Sequence, residues 1–260
     1  MRYSELIGEL KRGTAGRIET TIPESWMQGR TTYGGLTAAL CLEAAQELVS
    51  DMPVRAVQVA FIGPVGGDVV ISPTVLRRGK SSAFVNVDLV SEGGIMARSI
   101  FTFGAKRESE VDQKSRECPK ADSPDSCESF FGDQRPNFAH NFNIRLVAGE
   151  RPVTGAERGD LLLWLRHKDE AAIWNPTTLL SLADAPPPAA LSMLTKPAPI
   201  SSMTWMAEFL TDDITTVEGW FLVHHEAQAT KDGYSSQSMR MWNRNGDPVM
   251  IGRQTIAMFG

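Results

Sequence analysis

The hydrophobic pattern of the chain contains one order of elements that occurs twice. In the first half, a mostly apolar, alanine-rich segment at 34–48 is typical of a buried helix. Short turns separate the runs rich in Val, Ile and Phe that follow, which predicts antiparallel strands at 54–62, 69–76, 82–90 and 96–103. The pattern before this unit predicts a short amphipathic helix at 3–10 and a strand at 16–22.

The second half repeats this order. Its pattern predicts a helix over about 172–183, with strands at 138–146, 161–166, 200–210, 216–224, 228–242 and 249–258. The halves also share short sequences, with Gly-Lys-Ser-Ser at 79–82 against Gly-Tyr-Ser-Ser at 233–236, and Phe-Gly at 103–104 and 259–260. A repeat this long exceeds the solenoid range and indicates a duplicated domain. Differences between the copies at matched positions are therefore a guide to function.

The segment between the copies has a different composition. Residues 106–136 are dense in Glu, Asp, Lys, Ser and Pro, which gives them little ability to pack. We therefore predict an N-terminal domain at 1–107, a solvated linker at 108–136 and a C-terminal domain at 137–260. We also expect the two sheets to join edge to edge, because fusion of two open sheets covers an edge of each. The predicted fold class is α+β, with one buried helix in each unit.

Composition and charge narrow the classes of function. A chain of 260 residues with 42% apolar residues can form two domains with sizeable cores. A net charge of -5 argues against a nucleic-acid partner. The chain has no apolar run of about 18 residues and no signal-peptide layout, so we expect a cytoplasmic protein without a membrane span. Its three cysteines lack metal-ligand spacing, which argues against a zinc site or a disulfide framework.

Four short motifs follow one another along the chain: Tyr-Gly-Gly at 33–35, Phe-Ile-Gly-Pro at 61–64, Leu-Ala-Asp at 182–184 and Arg-Gln at 253–254. Taken in this order, they resemble the acyl-CoA thioesterase II group of the double-hotdog superfamily. The resemblance covers nearly the whole chain and implies tandem hotdog units, each a long helix wrapped by a curved antiparallel sheet. It implies hydrolysis of acyl-CoA to a free acid and coenzyme A in fatty acid metabolism, with no metal or redox cofactor. The oligomeric state stays open, and a homo-oligomer is compatible with the sequence.

The same resemblance implies the site residues. The family's water-orienting residues are an aspartate late in the second helix, a Ser or Thr in the next strand and a glutamine in the last strand, which correspond here to Asp184, Ser202 and Gln254. Serine stands where threonine is commoner in the family. Strand alternation places Thr204 on the same side as Ser202 and Ser201 on the other. The C-terminal copy thus holds a polar set that the N-terminal copy lacks.

These residue types suit hydrolysis without a covalent nucleophile. A carboxylate can take a proton from water held within about 3 Å, while a hydroxyl and an amide fix the position of that water. Asp184 stands at the C-terminal end of its helix in an apolar sequence, where both features disfavour ionisation and should raise its pKa. Backbone N–H groups at 175–178 or 34–35 are the candidate donors to the oxyanion.

Other interpretations of these residues stay open. Asp184 could be a turn-former before the proline run, Ser202 a structural hydroxyl and Gln254 an outward-facing strand residue. Glu43, after the Gly-Gly helix start, is an alternative base in the N-terminal copy. A non-catalytic acyl-thioester-binding protein is a further alternative. A hotdog dehydratase is disfavoured, because no histidine accompanies the acid in the second helix.

Overall fold

The computed structural model describes residues 1–113, 115 and 117–259, so Gly260 of the second Phe-Gly pair lies outside the described residues. The helices are α1 (Tyr3–Gly8), α2 (Gly34–Leu48) and α3 (Pro176–Ala183). The strands are β1 (Lys11–Arg12), β2 (Ile18–Thr21), β3 (Met27–Gln28), β4 (Thr31–Thr32), β5 (Val54–Phe61), β6 (Asp68–Arg78), β7 (Ser82–Ser91), β8 (Gly94–Gly104), β9 (Glu128–Ser129), β10 (Phe142–Gly149), β11 (Asp160–His167), β12 (Ile200–Phe209), β13 (Phe221–Lys231), β14 (Tyr234–Asn243) and β15 (Pro248–Met258).

The predicted union of the two sheets is confirmed. One 13-stranded sheet has the order β1-β2-β6-β7-β8-β5-β12-β15-β14-β13-β11-β10-β9. The junction is the antiparallel pair of β5 and β12, in which Trp205 lies opposite Val59. The run β5-β8-β7-β6-β2 on one side of this junction matches β12-β15-β14-β13-β11 on the other, so the duplication in sequence is also a duplication in topology.

The two long helices pack against each other in opposite directions. Helix α2 is buried along most of its length, as its apolar sequence predicts. The start of α3 meets the end of α2, where Thr177 Oγ1 lies 3.0 Å from Gln46 Oε1. The end of α3 in turn meets the start of α2, because Asp184 lies against Gly34 and Gly35.

Helix α3 begins later than the hydrophobic pattern predicts. We expected a start near residue 172, but the helix begins at Pro176. Asn175 caps it, since its side chain accepts a hydrogen bond of 2.8 Å from the Thr178 N–H. A proline at the first helical position with an asparagine before it is a strong start signal, which overrides the apolar residues upstream.

Three predicted strands have different limits in the structure. The segment predicted at 138–146 opens with a 3-10 helix at Asn137–Asn141 before β10. The strand predicted from 216 begins only at Phe221, and the run predicted at 228–242 is divided between β13 and β14. A two-residue turn divides it, because Asp232 and Gly233 both have positive φ. Such an Asp-Gly pair is typical of a tight hairpin.

The segment expected to be a solvated linker packs in its second half. Phe130 is buried, and β9 pairs with β10. The Trp164 indole N–H donates to the Asp122 carbonyl over 2.9 Å. Isolated apolar residues among the polar ones, Cys118 and Cys127 included, cover a small cluster around Trp164 and Trp220. The expectation of a solvated segment with little ability to pack is therefore wrong for this part, while residues 114 and 116 lie outside the described residues.

Candidate active site

Asp184 lies at one of the contacts between the two units. It caps the C-terminus of α3, and its carboxylate lies at the first turn of α2 in the other unit. A methyl group added to Gly34 would come within 2.6 Å of Asp184 Oδ2, and the Gly35 N–H donates a hydrogen bond to the carboxylate. The predicted site therefore does not belong to the C-terminal unit alone, because the N-terminal unit supplies its backbone donors.

Burial gives Asp184 an unusual pKa. It raises the pKa of the carboxyl to about 7, while the hydrogen bonds from Gln254 and the Gly35 N–H oppose that rise. The side chain keeps some exposure to solvent. A carboxylate near its pKa at neutral pH and open to water can accept a proton from that water. The sequence predicted the direction of this shift, and burial is its largest cause.

Gln254 lies on the inner face of the sheet, not on the outer face. It is 6% exposed and stands opposite Trp205 in the pair of β12 and β15. Its side-chain Nε2 donates a short hydrogen bond to Asp184 Oδ1. The structure thus brings together two of the three residues that the resemblance implied.

Ser202 shares the inner face with Gln254 because of a bulge at Met203. Ser202 lies opposite Ile256, whereas Thr204 lies opposite Thr255, so one extra residue in β12 separates the two pairs. Directly opposed residues point to the same side, so Ser202 faces inward with Ile256 and Thr204 faces outward. The expectation that Thr204 shares the side of Ser202 is therefore wrong. Among the described residues, the Ser202 hydroxyl has no hydrogen bond to Asp184 or Gln254.

Two inward-facing residues behind Gln254 were missed by the sequence analysis. Gln237 stands directly opposite Gln254 and donates to its Oε1 over 2.6 Å. The buried His225 places its Nδ1 3.3 Å from Gln237 Nε2. Their signal in the sequence is polarity beside buried apolar residues of the same face, Val223 in β13 and Met239 in β14. His224 faces the other side and contacts Asp160 at 2.9 Å, because neighbouring residues in a strand point to opposite faces.

Tyr33 covers the first turn of α2. Its hydroxyl would lie 2.6 Å from a methyl group on Gly35, and its ring stacks on Phe138 at 4.3 Å. The hydroxyl is buried without a hydrogen-bond partner among the described residues. Burial, and to a lesser degree the charge of Asp184, raise the pKa of Tyr33 well above its usual range, so the group stays neutral.

The alternative base Glu43 lies toward the opposite end of the helix pair. Glu43 pairs with Arg12 over 2.8 Å, and it stands nine residues after Gly34, or about 13 Å along the helix axis. The residue of α2 that meets the start of α3 is instead the amide Gln46. The alternative base Glu43 thus already has a partner away from the helix junction.

A groove of about 490 Å³ lies over the outer face of the same central strands. Outward-facing residues such as Thr204, Arg98 and Arg253 line it together with Gln254, and Asp184 is not among its lining residues. We therefore place the candidate chemistry on the inner face, at the junction of the helices. Within the described part of the chain, no group of His, Cys, Asp and Glu could hold a metal ion.

Two family models match the chain in sequence. Residues 22–104 match the model of the acyl-CoA thioesterase N-terminal domain, and residues 116–258 match that of the acyl-CoA thioesterase C-terminal domain. No protein of curated function matches the chain. The two matched segments carry Gly34 and Asp184 respectively, so both partners of the helix junction lie inside them.

Solved structures with low sequence identity share the whole fold. A hot dog protein of unknown function from Alicyclobacillus acidocaldarius has a TM-score of 0.88 at 20% identity, with 100% of this chain and 99% of that chain covered. A putative thioesterase II from Thermobifida fusca has a TM-score of 0.84 at 16% identity, with 100% and 98% covered. The TesB protein of Mycobacterium avium subs paratuberculosis has a TM-score of 0.82 at 16% identity, with 99% of each chain covered. The predicted double-hotdog fold is therefore confirmed. No helix among the described residues is long and apolar enough to cross a membrane.

Proposed function

Because the chain belongs to the acyl-CoA thioesterase family, we propose that it hydrolyses acyl-CoA to a free acid and coenzyme A, with Asp184 as the general base. The observation that carries this proposal is the Asp184 carboxylate at the first turn of α2, held by the Gly35 N–H and by Gln254. A cytoplasmic location and a role in fatty acid metabolism, both expected from the sequence, are part of the same proposal.

The reaction begins with a water molecule beside Asp184. The carboxylate takes a proton from this water while the water oxygen bonds to the thioester carbon, which gives a tetrahedral oxyanion. Collapse of the oxyanion breaks the C–S bond, and the proton held by Asp184 passes to the leaving sulfur. The products are the free acid and the thiol of coenzyme A. A pKa of about 7 for Asp184 suits both the uptake and the return of this proton.

The oxyanion needs hydrogen-bond donors, and the first turns of α2 and α3 remain the two candidates. The first N–H groups of a helix have no acceptor within the helix. At α3, the Thr178 N–H is already bonded to Asn175, and the Thr177 hydroxyl to Gln46. At the first turn of α2, the Gly35 N–H is bonded to Asp184, and the space that side chains on Gly34 and Gly35 would fill is occupied by Asp184, Phe61 and Tyr33.

Gln254 and Ser202 have different parts in this proposal. Gln254 touches the base, and it orients the attacking water together with Asp184. Ser202 faces inward and, within the described part of the chain, makes no hydrogen bond to either residue, so we assign it a hydrogen bond to the bound water or substrate. The proposed domains remain 1–107 and 137–260, with the site completed by α2 of the first domain.

The test is incubation of the pure protein with acyl-CoAs of varied chain length and trapping of the free thiol. Release of thiol that depends on Asp184 supports the proposal. Tight binding of acyl-CoA without turnover would instead identify a non-catalytic acyl-thioester-binding protein. Hydrolysis lost in Glu43→Gln and retained in Asp184→Asn would move the site to the N-terminal copy.

A further inference from the structure

We propose that Gln237 is a positioning residue that fixes the side-chain amide of Gln254 in the orientation that turns its N–H group toward Asp184. This inference rests on the proposed function of Asp184 and adds a residue that the resemblance did not imply. Gln237 itself does not touch the base, so its effect passes through Gln254.

The orientation of Gln237 follows from a backbone donor. The Ala189 N–H lies 3.0 Å from one end of the Gln237 amide. A backbone N–H can only donate, so this end of the amide is the oxygen. The NH₂ end must then face the other way, toward Gln254 and His225. The assignment of oxygen and nitrogen is thus decided by hydrogen bonding, which is the criterion that such assignments require.

The orientation of Gln254 follows from that of Gln237. The Gln237 NH₂ group lies 2.6 Å from the near end of the Gln254 amide, so this end accepts and is the oxygen. The far end of Gln254 is therefore the NH₂ group, which donates to Asp184. If the Gln254 amide turned over, its oxygen would face the carboxyl. That contact suits a protonated acid and opposes the ionised base that the reaction needs.

His225 completes the arrangement. Its Nδ1 lies 3.3 Å from Gln237 Nε2 and accepts the second proton of that NH₂ group. Burial, with a smaller contribution from His224, lowers the pKa of His225 to about 3, so the ring is neutral and able to accept at neutral pH. Tyr33, the other titratable group near Asp184, also stays neutral. Each polar atom of the Gln237 amide thus has a partner that opposes its rotation.

These polar residues adjoin an apolar stretch of the inner face. Along the same side of β14 and β13, Met239, Met241 and Val223 are buried. Burial of an amide and an imidazole costs free energy, which hydrogen bonds only offset. A polar chain that starts at a backbone N–H and ends at the proposed base fits a role in orienting that base.

The test compares three variants of β14 in the full-length protein. Gln237→Met keeps the size of the side chain and removes the amide, and we expect kcat to fall about tenfold, near the loss of one hydrogen bond, with KM changed less than about twofold. Gln237→Glu accepts from Ala189 and turns the Gln254 amide over, so it should be slower still. Met239→Leu, at the next inward position, should keep the wild-type kcat.

A double-mutant cycle shows whether Gln237 acts through Gln254. In a Gln254→Ala background, Gln237→Met should lower kcat no further, because the group that it orients is gone. An equal loss of kcat in both backgrounds, or a wild-type kcat in Gln237→Met, would overturn the inference. Thermal unfolding of each variant identifies a loss that comes from unfolding.

A second readout does not depend on turnover. In protein labelled with ¹³C-aspartate, the Cγ signal of Asp184, assigned with Asp184→Asn, reports the pKa of that carboxyl. Because the N–H of Gln254 lowers this pKa, Gln237→Met should raise it. If the wild type releases no thiol from any acyl-CoA, the proposed function fails while the titration still tests the positioning. If the wild type is active and the titration of Gln237→Met is unchanged, the positioning inference alone is wrong.

Discussion

Asp184, the residue that caps the C-terminus of α3, accepts a hydrogen bond from the backbone N–H of Gly35, in the first turn of α2. The carboxylate comes from the C-terminal copy and its backbone donor from the N-terminal copy. Because the helices run in opposite directions, the other end of the pair could hold a second site of the same kind. That end holds the amide of Gln46 in place of a carboxylate.

We predict that Asp184→Asn lowers kcat for acyl-CoA hydrolysis by about 10²–10⁴, because the variant keeps the shape of the side chain and loses the proton acceptor. Thiol release under saturating acyl-CoA measures this change. Glu43→Gln is the matched control in the N-terminal copy, since Glu43 pairs with Arg12 away from the helix junction. It should retain nearly the wild-type rate, and its inactivation would show that the base is in the other copy.

We predict that kcat/KM rises with pH to a plateau, with a midpoint near the pKa of about 7 that burial gives Asp184. The reactive form is the ionised carboxylate, so activity must fall as the pH drops below that value. Gln254→Ala should move the midpoint to higher pH, because the N–H of Gln254 lowers the pKa. A pH profile that is flat from about pH 5 to 9 would argue against a carboxylate base of this kind.

We predict that Gly34→Ala lowers kcat at least about tenfold, because precise placement of a catalytic group is easily lost. The added methyl group would lie 2.6 Å from Asp184 Oδ2 and 3.1 Å from Phe61 Cζ, so the carboxylate must move. Gly8→Ala is the control, since Gly8 also lies in a helix and has nothing within 4 Å of the added atom. Equal activity of the two variants would show that the position of the carboxylate near Gly34 is not important.

We predict that Ser202→Ala lowers kcat by roughly 2–10-fold, the loss of about one hydrogen bond. Its effect should not add to that of Gln254→Ala, because both side chains face the same side of the sheet. Thr204→Val removes a hydroxyl from the opposite face and should leave kcat unchanged. If Thr204→Val proves the more damaging variant, the hydroxyl of the site has been assigned to the wrong residue.

The sequence alone predicted the helix α2, the duplicated topology and the direction of the Asp184 pKa shift. Each of these follows from local features, such as a continuous apolar run or an acid in apolar surroundings. The bulge at Met203 could not be predicted, because one extra strand residue leaves no mark on a short pattern and yet reverses the side of every residue beyond it. Strand alternation without the bulge therefore predicted that Thr204 and Ser202 share one face of the sheet.

The partners of Asp184 could not be predicted from the sequence either. Gly35 is 149 positions away from Asp184 along the chain (184 − 35), and only the packing of α2 against α3 joins them. Gln237 and His225 lie on strands whose limits were predicted incorrectly, since the turn at Asp232 and Gly233 was read as part of a longer strand. Without the correct register, their common inward face could not be recognised.

The last prediction concerns the pH dependence of stability. Burial raises the pKa of Asp184 from 3.8 to about 7, so between these values the folded protein binds a proton that the unfolded chain releases. Folding stability linked to this group therefore falls as the pH rises through this window, and it is constant outside it.

In Asp184→Asn this dependence is absent. The Tm of the variant relative to wild type should thus increase by roughly 2–6 °C between pH 4 and pH 8, a range that allows for the partial exposure of the carboxyl. New amide contacts would add only an offset that is the same at every pH. Asp133→Asn, at an exposed position, controls for the loss of a surface charge. A Tm difference that stays constant across the window, or that grows toward acid pH, would show that Asp184 does not carry a raised pKa.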